Sequence, residues 1–122
     1  MKVETVTPII PVKDIDAACR FLRECLGFDA QVQLDGYAYC VRDGGAIRLV
    51  KAAPDADLSD PSREVSVYIC ADDVDAYFET HRTAIEALPE AHRRAPFDQE
   101  YGQREFHLTH GCCLFFVGQP TH

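Results

Sequence analysis

The 122-residue chain carries 12 basic and 20 acidic residues, a formal charge of −8, and is 47% hydrophobic. That is enough apolar material for one globular core, and the acidic balance excludes a nucleic-acid partner, whose phosphates require a basic surface. No apolar run is long enough to cross a bilayer, and the opening MKVETVTPII has no secretory apolar stretch, so the expectation is a cytoplasmic protein with no membrane partner.

In chain order, Thr7 to Val12 reads as a strand. Asp14 is placed to accept hydrogen bonds from the first free amides of a helix. That helix carries an apolar stripe at Ile15, Ala18, Cys19, Leu22, Cys25 and Leu26 and stops at Gly27, where a left-handed residue costs little. YAYCVRDGGAIRLVK, Tyr37 to Lys51, predicts a hairpin turning at Asp43-Gly44-Gly45. Ala52 to Ser62 reads as a solvated linker: Asp55, Asp57 and Asp60 resemble part of a calcium loop, but the required glycine and closing glutamate do not follow. Ser66 to Cys70 is a second strand, leading to a helix with Val74, Tyr77, Phe78 and His81 on its stripe and Pro89 as its bound. Ala91 to Gln103 reads as a polar loop, and Arg104 to Val117 as a hairpin turning near His110-Gly111.

The order of elements occurs twice. Laid over each other at an offset of 59 residues, TPIIPVKDIDAAC (Thr7 to Cys19) and SVYICADDVDAYF (Ser66 to Phe78) share Ile10/Ile69, Asp14/Asp73, Asp16/Asp75 and Ala17/Ala76. Placing Gly44 on Gly111 gives an offset of 67, which assigns eight extra residues to the loop Ala91 to Gln103.

Alternation then sorts the strand residues into two faces. Ile10, Val12, Ile47, Leu49, Val67, Ile69, Leu114 and Phe116 form a uniformly apolar set suited to a face under helices. Thr7, Ile9, Pro11, Ala46, Arg48, Val50, Ser66, Tyr68, Cys70, Cys113, Phe115 and Val117 form a mixed set suited to a ligand cleft, or to a contact with another copy of the chain. The six cysteines contain no CxxC pair and are expected as free thiols. Cys112 and Cys113, adjacent in a strand, face opposite ways and cannot grip one ion.

PVKDIDAACRFLRECLGF (Pro11 to Phe28) resembles the V-x-D-x-x-x-x-x-x-F-Y-x-x-x-L-G-F run of the vicinal oxygen chelate superfamily. YGQREFHLTHGCCLFFV (Tyr101 to Val117) is similar to the W/Y-G-x-R-x-F-x-x-x-D-P-x-G-N segment of its bleomycin resistance group. Leu22 stands where Tyr is usual, and Thr109-His110 near the usual Asp-Pro. The resemblance spans the chain and implies an α+β fold of two βαβββ modules, about 1–55 and about 62–122 of a single domain 1–122. The modules are expected to form a curled mixed sheet around a cleft, with helices on the outer face and a homodimeric assembly.

In metal-dependent members of that superfamily four strand positions supply His and Glu ligands. Carried over, those positions hold Thr7, Arg48, Ser66 and Phe115. None replaces an imidazole or carboxylate, and Arg48 puts a fixed positive charge where the cation would sit. Glu105 and His107 share a face but are short of the three protein ligands of a catalytic zinc. The expectation is therefore no metal and no cofactor, and a binding protein of the bleomycin resistance type that sequesters planar aromatic compounds, cationic ones included. Tyr37, Tyr39, Arg48, Tyr68, Tyr101, Glu105, His107 and Phe115 are its candidate ligand-binding residues, with Tyr37 and Tyr39 on one common face, cleft or core. The alternatives are a metal-dependent lyase, isomerase or dioxygenase with a displaced ligand set, and an interaction module whose mixed face is only a subunit contact.

Overall fold

The apolar alternation and helix caps of the two half-chains produce two copies of one unit in the computed structural model, which describes residues 1–122. The first comprises β1 (Ile9–Val12), α1 (Ile15–Leu26), β2 (Asp29–Gln33), β3 (Tyr37–Arg42) and β4 (Gly45–Lys51). After a short 3-10 turn at Pro61–Arg63 come β5 (Val65–Cys70), α2 (Val74–Thr80), α3 (Arg82–Glu86), β6 (Arg93–Asp98), β7 (Gln103–His110) and β8 (Cys113–Pro120). Each unit closes a four-stranded mixed sheet, ordered β1-β4-β3-β2 and β5-β8-β7-β6, in which only β1/β4 and β5/β8 are parallel. No helix is long and apolar enough to cross a membrane.

Both helix starts form as the sequence predicts: Asp14 accepts from the Ala17 amide and Asp73 from the Ala76 amide, each at 3.0 Å. Gly27 ends α1 at φ 74°, and its amide reaches back to the Arg23 carbonyl. The second helix breaks at His81, the cap shared by α2 and α3. Asp57 and Asp60 in the linker accept hydrogen bonds from Ser59 and Ser62, closing local turns rather than a cation loop.

The strand β6 replaces much of the expected loop from Ala91 to Gln103. Its sequence RRAPFD is polar and contains Pro96, but β6 is an edge strand with a register shift between Arg94 and Phe97, where a missing amide is tolerated.

The β7–β8 hairpin also differs, by one residue, from the expected register. His110 pairs with Cys113 and Arg42 with Gly45, so the two-residue turns are Asp43-Gly44 and Gly111-Cys112. The equivalent left-handed positions are Asp43, at φ 47°, and Gly111, at φ 57°. Glycine therefore does not correspond to glycine: Asp, one of the few side chains that tolerates this region, fills the slot in the first module. The true offset in β8 is 68, and because side chains alternate, a one-residue slip exchanges the faces of the whole strand. Cys113, Phe115 and Val117 point into the core, while Leu114 and Phe116 are half-buried on the other face.

One core of 22 buried residues draws on both modules. Phe21 of α1 lies against Phe115 at 5.6 Å and His110 at 4.8 Å between ring centroids. At the junction the His81 Nδ1 donates to the Glu24 carbonyl while Nε2 accepts from Arg42, both at 2.9 Å. Arg42 also donates to the Leu26 carbonyl and stacks over Tyr77, whose hydroxyl donates to the same carbonyl. Contacts between the modules thus run through the helices and the ends of strands. Each sheet keeps one face clear of the helices, as expected of two βαβββ modules that each form a four-stranded mixed sheet.

Candidate functional site

On the open face of the first sheet, β1, β4, β3 and β2 place Ile9, Arg48, Tyr39 and Val32 in one row. Arg48 Nε donates to Thr7 Oγ1 at 2.9 Å and its Nη1 to the Tyr37 hydroxyl, while the guanidinium lies 4.6 Å over the Tyr39 ring. Tyr37 and Tyr39 are therefore on the open face, since Ala38 and Cys40 take the core positions of β3.

The corresponding row of the second sheet is Tyr68, Phe116, His107 and Arg94. Tyr68 stacks on Phe116 at 5.7 Å, Phe116 meets His107 at 4.3 Å, and His107 meets the edge of Phe97 at 5.0 Å. Arg94 caps Phe97 at 3.4 Å. A continuous aromatic floor thus crosses all four strands.

Beside it, in the next row of the same face, lies Glu105, the one charged residue that is wholly buried. Its Oε2 accepts from the Tyr68 and Tyr101 hydroxyls, both at 2.7 Å. Its Oε1 accepts from His107 Nε2 at 2.8 Å and Gln99 Nε2 at 3.2 Å. Burial alone would raise its pKa, but these four hydrogen bonds outweigh burial and hold the carboxyl at about 2. Burial and the bond to Glu105 in turn raise the Tyr68 phenol, and the same bond raises Tyr101. Tyr68 reaches Glu105 across Gly118, the residue of β8 that faces Cys70 on one side and Glu105 on the other. A Cβ there would collide with the Tyr68 hydroxyl.

The structure brings Tyr37, Tyr39 and Arg48 together on one sheet, and Tyr68, Tyr101, Glu105 and His107 on the other. Phe115 joins neither group. At 2% exposure it is core, and Phe116 occupies the open-face position expected for it. Reading the hairpins from their left-handed residues instead of their glycines would have found Phe116. Gln99 and Phe97 had no such signal, because their loop and edge strand lack periodicity. A groove of about 560 Å³ lies elsewhere, between the β3–β4 turn and β5, and of the expected site residues only Tyr68 reaches it.

A family model described as the Glyoxalase/Bleomycin resistance protein/Dioxygenase superfamily matches residues 3–109. The chain belongs to this superfamily. No curated protein sequence matches it. Among solved structures, the glyoxalase/bleomycin resistance fold of this chain is similar to that of a bleomycin resistance determinant encoded on transposon Tn5, with 20% identity, 98% of this chain and 100% of that one covered, and a TM-score of 0.78. The bleomycin-binding protein of Streptomyces verticillus in complex with copper(II)-bleomycin has 17% identity, covers 96% of both chains and gives 0.75. Lactoylglutathione lyase of Agrobacterium tumefaciens has 17% identity, covers 97% of this chain and 95% of that one, and gives 0.67. At these identities the likeness is one of fold.

Enzymes of the superfamily that use a metal need donor atoms at four strand positions. With the corrected register the four ligand positions hold Thr7, Arg48, Ser66 and Phe116. Thr7 is engaged by the Arg48 guanidinium, and no three His, Cys, Asp or Glu side chains meet in the chain in a way that could hold an ion. A hydroxyl pair, a fixed cation and a phenyl ring do not fit a divalent metal.

Proposed function

We propose that this glyoxalase/bleomycin resistance superfamily member is a small-molecule binding protein of the bleomycin resistance type, holding planar aromatic compounds without chemical conversion. The observation that carries the reading is the aromatic row Tyr68–Phe116–His107–Phe97 on a sheet face that no helix covers. Flat rings on a rigid strand surface offer stacking partners at small entropic cost. Each aromatic pair adds about 0.5–1.5 kcal/mol beyond its buried area, whereas micromolar affinity needs about 8 kcal/mol. Several rings together with broad apolar contact are required, which a four-strand aromatic floor supplies better than isolated tyrosines.

The open faces also support a homodimer. Ile9, Tyr68 and Tyr101 are 60%, 41% and 60% exposed, large apolar surfaces for a chain to leave in water. Facing the first sheet of one copy with the second sheet of another would enclose a ligand between Arg48 with its tyrosines and the aromatic floor. Light scattering at micromolar concentration is expected to give twice the chain mass, and a monomer would contradict this assembly.

Native mass spectrometry of freshly purified protein, with isothermal titration of bleomycin, tests the binding reading. Retention of an organic mass, or heat on titration, supports it. A stoichiometric transition-metal ion retained without any organic mass would overturn it, and absence of heat and thermal shift at high micromolar bleomycin removes that compound as a ligand.

A further inference from the structure

We propose that the ligand of this site carries a single carboxylate, and that Arg48 receives it. The inference rests on the small-molecule reading above and names the chemistry of its ligand.

Arg48 stands out by its setting. The chain has 20 acidic residues against 12 basic ones, and some arginines find two carboxylates each: Arg104 pairs with Asp75 and Asp98, and Arg82 with Glu79 and Glu86. Arg48 is half-buried in the middle of an apolar row, between Ile9 and Tyr39, and has no carboxylate within ion-pair distance. Its polar partners, Thr7 and Tyr37, are neutral, and the Tyr39 ring supports it by cation–π contact. These contacts fix the position of the guanidinium without neutralising it. Nη2 is left with no partner in the chain, and no buried side-chain nitrogen is unsatisfied, so this nitrogen remains reachable from outside.

A cation held in an apolar setting, with the Nη2 N–H groups and the second Nη1 N–H not taken by Thr7 or Tyr37, can meet the two oxygens of a carboxylate in a forked arrangement. The adjoining positions of the same sheet, Ala46, Val50, Pro11 and Val41, supply no second cation, and the chain's net charge disfavours a dianion, so a monoanionic carboxylate suits Arg48 better than a phosphate. The carboxylate already in the site points the same way. Glu105 accepts two hydrogen bonds on each oxygen and is wholly buried, so it offers no open acceptor site to a ligand's N–H groups. Of the charged groups on these rows, Arg48 is the one that neutral side chains hold on both sides while leaving hydrogen-bonding groups open to a ligand.

Isothermal titration of the full chain at pH 7 with 2-naphthoic acid, 2-naphthamide and 2-naphthylmethylamine holds the ring constant and varies the charge. The acid is expected to bind at least tenfold more tightly than the amide, with an affinity that falls as salt is raised while that of the amide stays level. Arg48→Met is expected to bind acid and amide alike, and Arg48→Lys to keep part of the preference. Should Arg48→Met fail to fold, the wild-type salt dependence still decides. Equal binding of acid and amide by the wild-type protein, or tighter binding of the amine, overturns the carboxylate assignment and leaves the small-molecule reading standing. Absence of binding by all three probes removes both.

Discussion

Glu105→Gln removes the buried charge while keeping the shape of the side chain. The wild-type carboxyl is held at about 2 in the folded chain against an ordinary 4.5, so its ionised form stabilises the fold by about 3 kcal/mol at neutral pH. The sign follows from the lowered folded value. The contribution is complete above about pH 4.5 and is lost as pH falls through about 2, where both states bind the proton. Glutamine can still accept at one oxygen, but its amide nitrogen then faces hydroxyl or imidazole donors that must rotate away, and hydrogen bonds to a charged acceptor are worth about 1.5–3 kcal/mol each. Urea unfolding of both proteins at pH 7 and pH 2.5 is the assay. The variant is expected to be less stable by about 2–4 kcal/mol at pH 7, with the gap narrowing markedly at pH 2.5. A variant within about 0.5 kcal/mol of wild type at pH 7, or a gap of the same size at both pH values, would refute the account of Glu105 as an ionised hub.

Phe115→Ala should destabilise by about 3–5 kcal/mol, as for a large core ring, whereas Phe116→Ala should cost far less in urea unfolding but weaken ligand binding; the reverse pattern would restore the other β8 register. His81 is locked neutral, since burial, and Arg42 facing its Nε2, lower its pKa while the Glu24 carbonyl takes its Nδ1 proton. Tyr77 packs beside it at 5.5 Å, and Asp43 pairs with Arg42. Stability should therefore fall as pH drops below the ordinary histidine value of 6.5, and thermal unfolding of His81→Gln between pH 7 and 5 should show a flatter profile than wild type. Gly118→Ala should drive the Tyr68 hydroxyl off Glu105, lowering stability by about 1–3 kcal/mol and changing Tyr68 fluorescence or its NMR shift; an unchanged Tyr68 signal would contradict the close approach.

Much of the fold was legible because its signals are local. Asp14 and Asp73 cap helices by short-range hydrogen bonds, Gly27 ends one, and period-2 apolar runs mark β1, β4, β5 and β7. The two misreadings have physical causes of different kinds. A left-handed turn residue is a backbone requirement, not a residue type, so Asp43 could stand where Gly111 stands and shift the alignment by one. The edge strand β6 draws its stability from β7 rather than from its own pattern, so Pro96 and two arginines concealed it. For the site, alternation placed Arg48 and Tyr68 on the open faces, but it put Phe115 rather than Phe116 beside Tyr68 and left Tyr37 and Tyr39 open between cleft and core. The convergence of Gln99, Tyr101 and Tyr68 on one carboxylate could not be read in this way, because it depends on a loop returning over a sheet.

That convergence determines when the rings become ordered. Tyr68, Tyr101 and His107 are anchored to Glu105 as the chain folds, so on the proposed binding function an arriving guest would find them already immobile, with little freedom left to lose in docking. Loosening the anchor would lower affinity by letting three side chains wander, even with every surface that touches the guest left in place.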